Sequence, residues 1–247
     1  MPSARPPSAG RRTEESRVPK VVGRAAALAA VVALGVAGCG KSDSGDGGPA
    51  ATATASGSGY ACTTPPKAPD EAQSQALPDK ASAAGKTFVA TVTTNCGDLV
   101  LELDGAKAPQ TVASFQQLAK SYWKDSPCHR LTTSGIFVLQ CGDPTGTGSG
   151  SPGYGFGIEN APASGQYPRG TLAMARTNDP NSNGGQFFIV YKDTELPTDG
   201  GGYSIFGKVV SGMPILDFVA SRGTPSGDGP PAQPLSILKI SVTEKKA

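Results

Sequence analysis

The sequence predicts a mainly β domain, either a closed barrel or a sandwich, in residues 86–247 of a chain of 247 residues. The first observation is a series of short runs in which β-branched, aromatic and other apolar residues dominate or alternate with polar ones. The second is that Gly- and Pro-rich turns separate these runs, and the third is that only two segments have helical periodicity. The predicted strands span residues 87–94, 99–103, 136–140, 171–174, 187–191, 205–210 and 237–242.

The first two runs form a predicted β-hairpin. Residues 87–94 alternate, Asn95-Cys96-Gly97-Asp98 supplies turn residues, and residues 99–103 alternate again. A helix is then predicted from Pro109, because proline suits a first helical turn and the following apolar residues share one face. That face comprises Val112, Phe115, Leu118, Ala119 and Tyr122. A second short helix is predicted over residues 214–220.

The N-terminal region has the layout of an export signal. Residues 1–24 are basic, residues 25–37 are apolar, and Val36-Ala37-Gly38-Cys39 resembles a bacterial lipobox. The apolar run is too short for a comfortable membrane span. We therefore predict a lipoprotein signal peptide over residues 1–38 and lipidation of Cys39; the alternative is a plain signal peptide with a chance cysteine. The basic region is long for a signal, and a start near Val18 would shorten it.

The next segment is rich in Gly, Ser, Ala, Thr and Pro. Residues 39–85 contain little that could form a core, so a flexible tether is predicted there, followed by one domain over residues 86–247. From Cys39 onward, 16 Lys and Arg residues oppose 18 Asp and Glu residues, a net charge of −2. Nothing in this balance indicates a nucleic-acid partner.

Four cysteines remain when Cys39 is set aside: Cys62, Cys96, Cys128 and Cys141. An even number in an exported protein favours disulfides, and four cysteines allow three connectivities. There is no CxxC element and only one histidine, so zinc is disfavoured. We predict neither a metal nor a cofactor.

The segment Cys128-His129-Arg130 contains the only histidine and is followed by Gln140 and by Gln186-Phe187-Phe188-Ile189. Arg, Gln and Phe without a second acid or base suit the binding of an apolar group beside an amide. A Cys128–His129 thiol dyad is disfavoured, because adjacent side chains on a strand point to opposite faces. Residues 146–157 have loose GxGxxG-like spacing but lack the flanking strand and helix, which predicts a surface loop.

Several ordered blocks together resemble the cyclophilins, a family of peptidyl-prolyl cis/trans isomerases. These blocks are TVASF, CHR, FVLQCGD, LAMAR, NSNGGQFFIV and FGKVVSGMPILD, and they extend over residues 86–244. The resemblance implies a closed eight-stranded antiparallel barrel capped by two α-helices. It also implies a proline-binding groove on the outside of the barrel.

The resemblance implies a role for each matched position. Arg130, Phe137 and Gln140 correspond to catalytic positions, with Arg130 reaching the prolyl amide. Phe137 and Phe188, with Val138, would form an apolar floor for the proline ring, and the two glutamines would hold the neighbouring peptide groups. The implied substrate-binding positions are Val138, Ala175, Arg176, Gln186, Phe188, Leu196 and Tyr203.

The chain departs from the family at several groove positions. Leu196 stands where tryptophan is usual, Tyr203 where histidine is usual and Arg176 where asparagine is common. Two extra residues lie between Arg130 and Phe137. Because an indole is missing, we expect the inhibitor cyclosporin to bind weakly.

The predicted function is acceleration of X-Pro isomerisation in exported proteins, by a monomer anchored through its lipid to the outer face of the cytoplasmic membrane. The expected partners are proline-containing polypeptides and the membrane. The resemblance places the strands that carry Cys128 and Cys141 side by side, so these two should pair, leaving Cys62 with Cys96. The alternative is a non-catalytic lipoprotein that binds proline peptides as a chaperone. A solute-binding lipoprotein is disfavoured, because it would require a cleft between two domains and the chain is too short for that.

Overall fold

The computed structural model describes residues 60–246. Its twelve strands are β1 (Thr87–Thr94), β2 (Gly97–Asp104), β3 (Ser126–Pro127), β4 (Arg130–Thr132), β5 (Val138–Cys141), β6 (Gln166–Tyr167), β7 (Thr171–Met174), β8 (Phe187–Val190), β9 (Thr194–Glu195), β10 (Ile205–Ser211), β11 (Asp228–Gly229) and β12 (Ser236–Glu244). The two helices are α1 (Pro109–Ala119) and α2 (Met213–Arg222).

Ten of these strands form one antiparallel sheet in the order β11-β4-β5-β8-β7-β10-β2-β1-β12-β3, and β6 pairs with β9 separately. The prediction of a mainly β domain with two helices is confirmed. The described sheet has ten strands where the resemblance implied eight, because β3 and β11 are two-residue strands at its ends. Strands β3 and β4 are next to each other in the chain but lie near opposite ends of the strand order. The sheet must therefore curl, because only a few residues connect these two strands.

The predicted hairpin and first helix line one side of the core. Burial alternates strictly along β1, as expected for a strand with one face inward. In α1, Pro109 occupies the first turn and the predicted apolar face is buried. The Glu159 carboxylate accepts hydrogen bonds from the backbone N–H groups of Gln110 and Thr111, at 3.0 and 2.8 Å, which satisfies free donors at the positive end of the helix.

Strands β5, β7 and β8 are buried on both faces, and the face turned away from the main core carries the candidate site. Leu139, Phe187 and Ile189 belong to the main core, together with α1. Their neighbours Val138 and Phe188 belong instead to a second, smaller cluster on the opposite face of the sheet. Successive strand residues point to opposite faces, so a continuous apolar run can serve a core and an outer groove at the same time.

Both predicted disulfides are present. Cys128 is bonded to Cys141 and Cys62 to Cys96. The second bridge links Cys62, in the segment predicted to be a tether, to Cys96 in the first hairpin. The described part of that segment also makes hydrogen bonds to the domain. Thr63 N–H donates to the Asn95 carbonyl and Gln75 N–H to the Pro152 carbonyl, each at 2.8 Å.

The packed domain therefore begins before the predicted boundary at Lys86, because residues 60–85 follow its surface. The predicted signal peptide, Cys39 and residues 40–59 of the predicted tether lie outside the described residues. Within residues 60–246, neither helix has the length and apolar character needed to cross a bilayer.

Candidate active site

Strand pairing brings Arg130 and Gln140 together. The two residues are opposite each other in the β4–β5 register, and Arg130 Nη1 donates to Gln140 Oε1 at 3.3 Å. Gln140 Nε2 in turn donates to Gln186 Oε1 at 2.9 Å. Three polar residues predicted for the site thus form one hydrogen-bonded row across the outer face of the sheet.

This row borders an apolar cavity of about 260 Å³. Val138, Phe188 and Leu196 form its floor and are at most 6% exposed. Gln186 lies in the adjoining cavity. The lining residues are Arg130, Ile136, Val138, Gln140, Ala175, Arg176, Phe188, Leu196 and Tyr203. Eight of the ten positions that the resemblance implied therefore meet in one cavity.

Of the two remaining positions, Gln186 lines the adjoining cavity, whereas Phe137 lines neither cavity and Ile136 takes its predicted place. The ring of Phe137 packs partly buried against the main core, 6.1 Å from the ring of Tyr191, with Lys192 Nζ 4.3 Å from its centre. Residues 136, 138 and 140 line the cavity and alternate with residues that do not. This two-residue period was available in the sequence and would have identified Ile136.

Asp228 is a part of the site that the sequence analysis missed. Its carboxylate accepts hydrogen bonds from Nε and Nη2 of Arg130, both at 2.7 Å. The hydrogen bonds and charge of Arg130 lower the pKa of Asp228, and the carboxylate raises the pKa of Arg130. Both side chains are partly exposed, so the pair itself contributes at most about 1 kcal/mol to folding stability.

A second cavity of about 620 Å³ adjoins the first, and seven of its fifteen lining residues, five of them Gly or Ser, belong to the predicted loop at residues 146–157. Gln186 Nε2 donates to the carbonyls of Gly148 and Gly150, at 2.9 and 3.1 Å. The Asp143 carboxylate contacts the same loop and accepts a hydrogen bond from the Gly150 N–H group at 3.0 Å. Burial acts to raise the pKa of Asp143, but the hydrogen bonds from Gly150, Thr145 and Thr147 outweigh it and lower the pKa.

Arg176 forms a wall shared by both cavities. Its guanidinium donates to the carbonyls of Gly202, Thr177 and Asp199, at 2.7, 2.8 and 3.2 Å, and lies 5.1 Å from the centre of the Tyr203 ring. These contacts hold the glycine-rich turn before Tyr203 in place. The larger side chain that replaces the family's asparagine thus supports the wall of the cavity.

His129 lies beside Arg130 and has no place in the hydrogen-bonded row. Both ring nitrogens are buried, and neither finds a hydrogen-bond partner among the described residues. Burial lowers the pKa of His129, which favours the neutral imidazole. Among residues 60–246, no three His, Cys, Asp or Glu side chains come together in a way that could hold a metal ion.

Comparison with known proteins shows the family of this chain. Residues 89–242 match the family model for cyclophilin-type peptidyl-prolyl cis-trans isomerases. Proteins named probable peptidyl-prolyl cis-trans isomerase B are 43% identical in Mycobacterium leprae and 40% identical in Mycobacterium tuberculosis. Each alignment covers 74% of this chain, and the chain spans 66% and 64% of the two relatives.

A solved structure with a similar fold is a cyclophilin-type isomerase of Cryptosporidium parvum. It is 34% identical, with a TM-score of 0.54 over 64% of this chain and 99% of the other. The crystals of that protein were studied in the presence of the dipeptide Ala-Pro.

Proposed function

Because the chain belongs to the cyclophilin-type peptidyl-prolyl cis-trans isomerase family, we propose that it accelerates X-Pro isomerisation in exported polypeptides. One observation carries the proposal: the Arg130 guanidinium, hydrogen-bonded to Gln140, borders an apolar cavity with Val138, Phe188 and Leu196 as its floor. A cationic donor beside an apolar pocket suits a proline ring and its amide.

The physical problem is rotation about an amide bond. Resonance gives that rotation a barrier of about 18–20 kcal/mol, so X-Pro bonds isomerise over tens to hundreds of seconds. A donor aimed at the prolyl nitrogen favours its pyramidal form, in which resonance is lost. Arg130 suits this role because it remains protonated and presents planar donors.

Catalysis by this arrangement needs only stronger binding of the twisted amide than of the planar one. A factor of about 10⁵ corresponds to roughly 7 kcal/mol of such preference. The apolar floor holds the ring, while Gln140 and Gln186 hold the neighbouring peptide groups. The Ala-Pro dipeptide used with the Cryptosporidium relative supports proline peptides as the ligand class.

We propose further that the protein works as a monomeric lipoprotein on the outer face of the cytoplasmic membrane. The basic and apolar N-terminal segments and the lipobox ending at Cys39 support this location. Cys39→Ala should release the protein from membranes and leave isomerase activity unchanged. Recovery of the unmutated protein without lipid in the medium would contradict the anchor.

The activity is tested with a protease-coupled X-Pro anilide assay on the full chain. Arg130→Ala should lower kcat/KM by about two to three orders of magnitude, or about 3–4 kcal/mol. Circular dichroism should show that the fold persists. A peptide-binding module without turnover would bind proline peptides but show no acceleration in the unmutated protein, and that result would replace the enzyme proposal.

A further inference from the structure

All three nitrogens of the Arg130 guanidinium are hydrogen-bonded, and only one of these three bonds goes to a residue that lines the cavity. Asp228 accepts from Nε and Nη2 in a bidentate pair, and Nη1 remains for Gln140 at the cavity edge. A bidentate carboxylate fixes both the position and the plane of a guanidinium, because two parallel hydrogen bonds define its orientation. Asp228 itself does not line the cavity.

The backbone that carries Asp228 is fixed in turn. Strand β11 pairs with β4, so that Asp228 lies opposite Thr132, two residues from Arg130 in the chain. Thr133 N–H donates to the Gly227 carbonyl at 2.8 Å, and Ser226 Oγ donates to the Asp228 carbonyl at 2.6 Å. The carboxylate is thus attached to the same sheet that carries the arginine.

We propose that Asp228 is a positioning residue for catalysis, which holds Nε and Nη2 of Arg130 so that the Nη1 edge is presented to the prolyl amide. The inference rests on the proposed isomerase activity. An arginine side chain has several freely rotating bonds and loses considerable entropy when it is ordered. Ordering by Asp228 takes place before substrate binds, so the productive orientation does not have to be selected during each turnover.

The chain contains a matched control pair. Arg169 donates to Asp217 through Nη1 and Nη2, at 2.7 and 2.8 Å. The side chains of Arg169 and Asp217 are 40% and 51% exposed, and those of Arg130 and Asp228 are 39% and 54% exposed. Neither Arg169 nor Asp217 lines the apolar cavity. Asp217→Ala therefore removes a bidentate ion pair of similar exposure at a place where no effect on turnover is expected.

The experiment compares Asp228→Ala, Asp228→Asn, Asp228→Glu and Asp217→Ala in the full chain. NMR exchange spectroscopy on an Ala-Pro peptide gives the catalysed isomerisation rate, and titration gives the binding constant separately. Asp228→Ala and Asp228→Asn should lower the catalysed rate about tenfold, within the hundredfold that a misplacement of about 1 Å can cost. Peptide affinity should change less than twofold, and Asp228→Glu should restore part of the rate.

The Arg130 Nε–H signal reports whether the ion pair with Asp228 is formed, while the split between catalysed rate and peptide affinity is the readout that a purely structural role would not change. The Nε–H signal should be protected from solvent exchange in the wild type and in Asp217→Ala, and lose protection in Asp228→Asn. An Asp228→Ala rate equal to that of Asp217→Ala would overturn the inference while leaving the isomerase proposal intact. Parallel losses of rate, affinity and thermal stability would also overturn it, and an inactive wild type would overturn both proposals.

Discussion

Removal of the Cys128–Cys141 disulfide should lower stability far more than activity. The bridge closes a loop with a sequence separation of 13 residues that contains both Arg130 and Gln140. Replacing both cysteines by alanine frees this loop in the unfolded chain, which costs about 3 kcal/mol. For a domain of this size, that corresponds to a fall of roughly 6–12 °C in Tm.

Activity should fall less than about threefold at 25 °C, or roughly 0.6 kcal/mol. The reason is that the β4–β5 register and the Cys128 N–H bond to the Leu235 carbonyl, at 2.8 Å, remain in the double variant. Scanning calorimetry measures the Tm and the anilide assay the activity. A decrease in Tm of less than about 2 °C would refute the loop-closure argument. A loss of activity without loss of stability would show that the bridge itself orients the site.

The other predictions concern the remaining bridge, the histidine and the groove. Replacing Cys62 and Cys96 by alanine should cost about 4 kcal/mol, because this bridge spans 34 residues; a smaller loss in urea unfolding than for the first bridge would contradict this. Burial lowers the folded-state pKa of His129, so the unfolded chain takes up the proton first and the free energy of unfolding should fall as pH drops below about 6.5. His129→Leu should reduce that pH dependence between pH 7.5 and 5.5, and an unchanged dependence would contradict the assignment. Cyclosporin should inhibit this protein about 30- to 150-fold more weakly than it inhibits relatives with the indole, a loss of about 2–3 kcal/mol. The reason is that Trp123 is buried and donates to the carbonyls of Gly142 and Gly185, so its indole does not reach the groove. A low-nanomolar inhibition constant would contradict this prediction.

The regular elements of this fold could be predicted because their signals are local. The hairpin of β1 and β2 follows from alternation around a turn, and α1 follows from proline at its start and one apolar face. The two-residue strands β3, β6, β9 and β11 are too short to have a period. They exist because neighbouring strands offer hydrogen-bond partners, and this is a property of the folded chain alone.

The segment at residues 60–85 illustrates a different limit. Its composition predicts a tether, since it contains few residues that could form a core by themselves. Two long-range features hold its described part: the Cys62–Cys96 bridge, and backbone hydrogen bonds such as that from Gln75 to Pro152. Composition indicates whether a segment can form a core of its own, whereas the packing of residues 60–85 depends on the surface that the rest of the chain provides.

The site shows the same division between local and distant information. Gln140 could be assigned because it stands in the block FVLQCGD, which carries the family resemblance, and the structure places it opposite Arg130 in the β4–β5 register. The place of Phe137 in the block FVLQCGD implied the groove, whereas the two-residue period of the strand brings Ile136 to the cavity and Phe137 to the main core. Asp228 lies 98 residues from Arg130 and reaches it only through the short β11–β4 pairing. No periodicity or spacing predicts that contact, although it fixes Nε and Nη2 of the guanidinium and leaves the Nη1 edge on the side of Gln140 and the cavity.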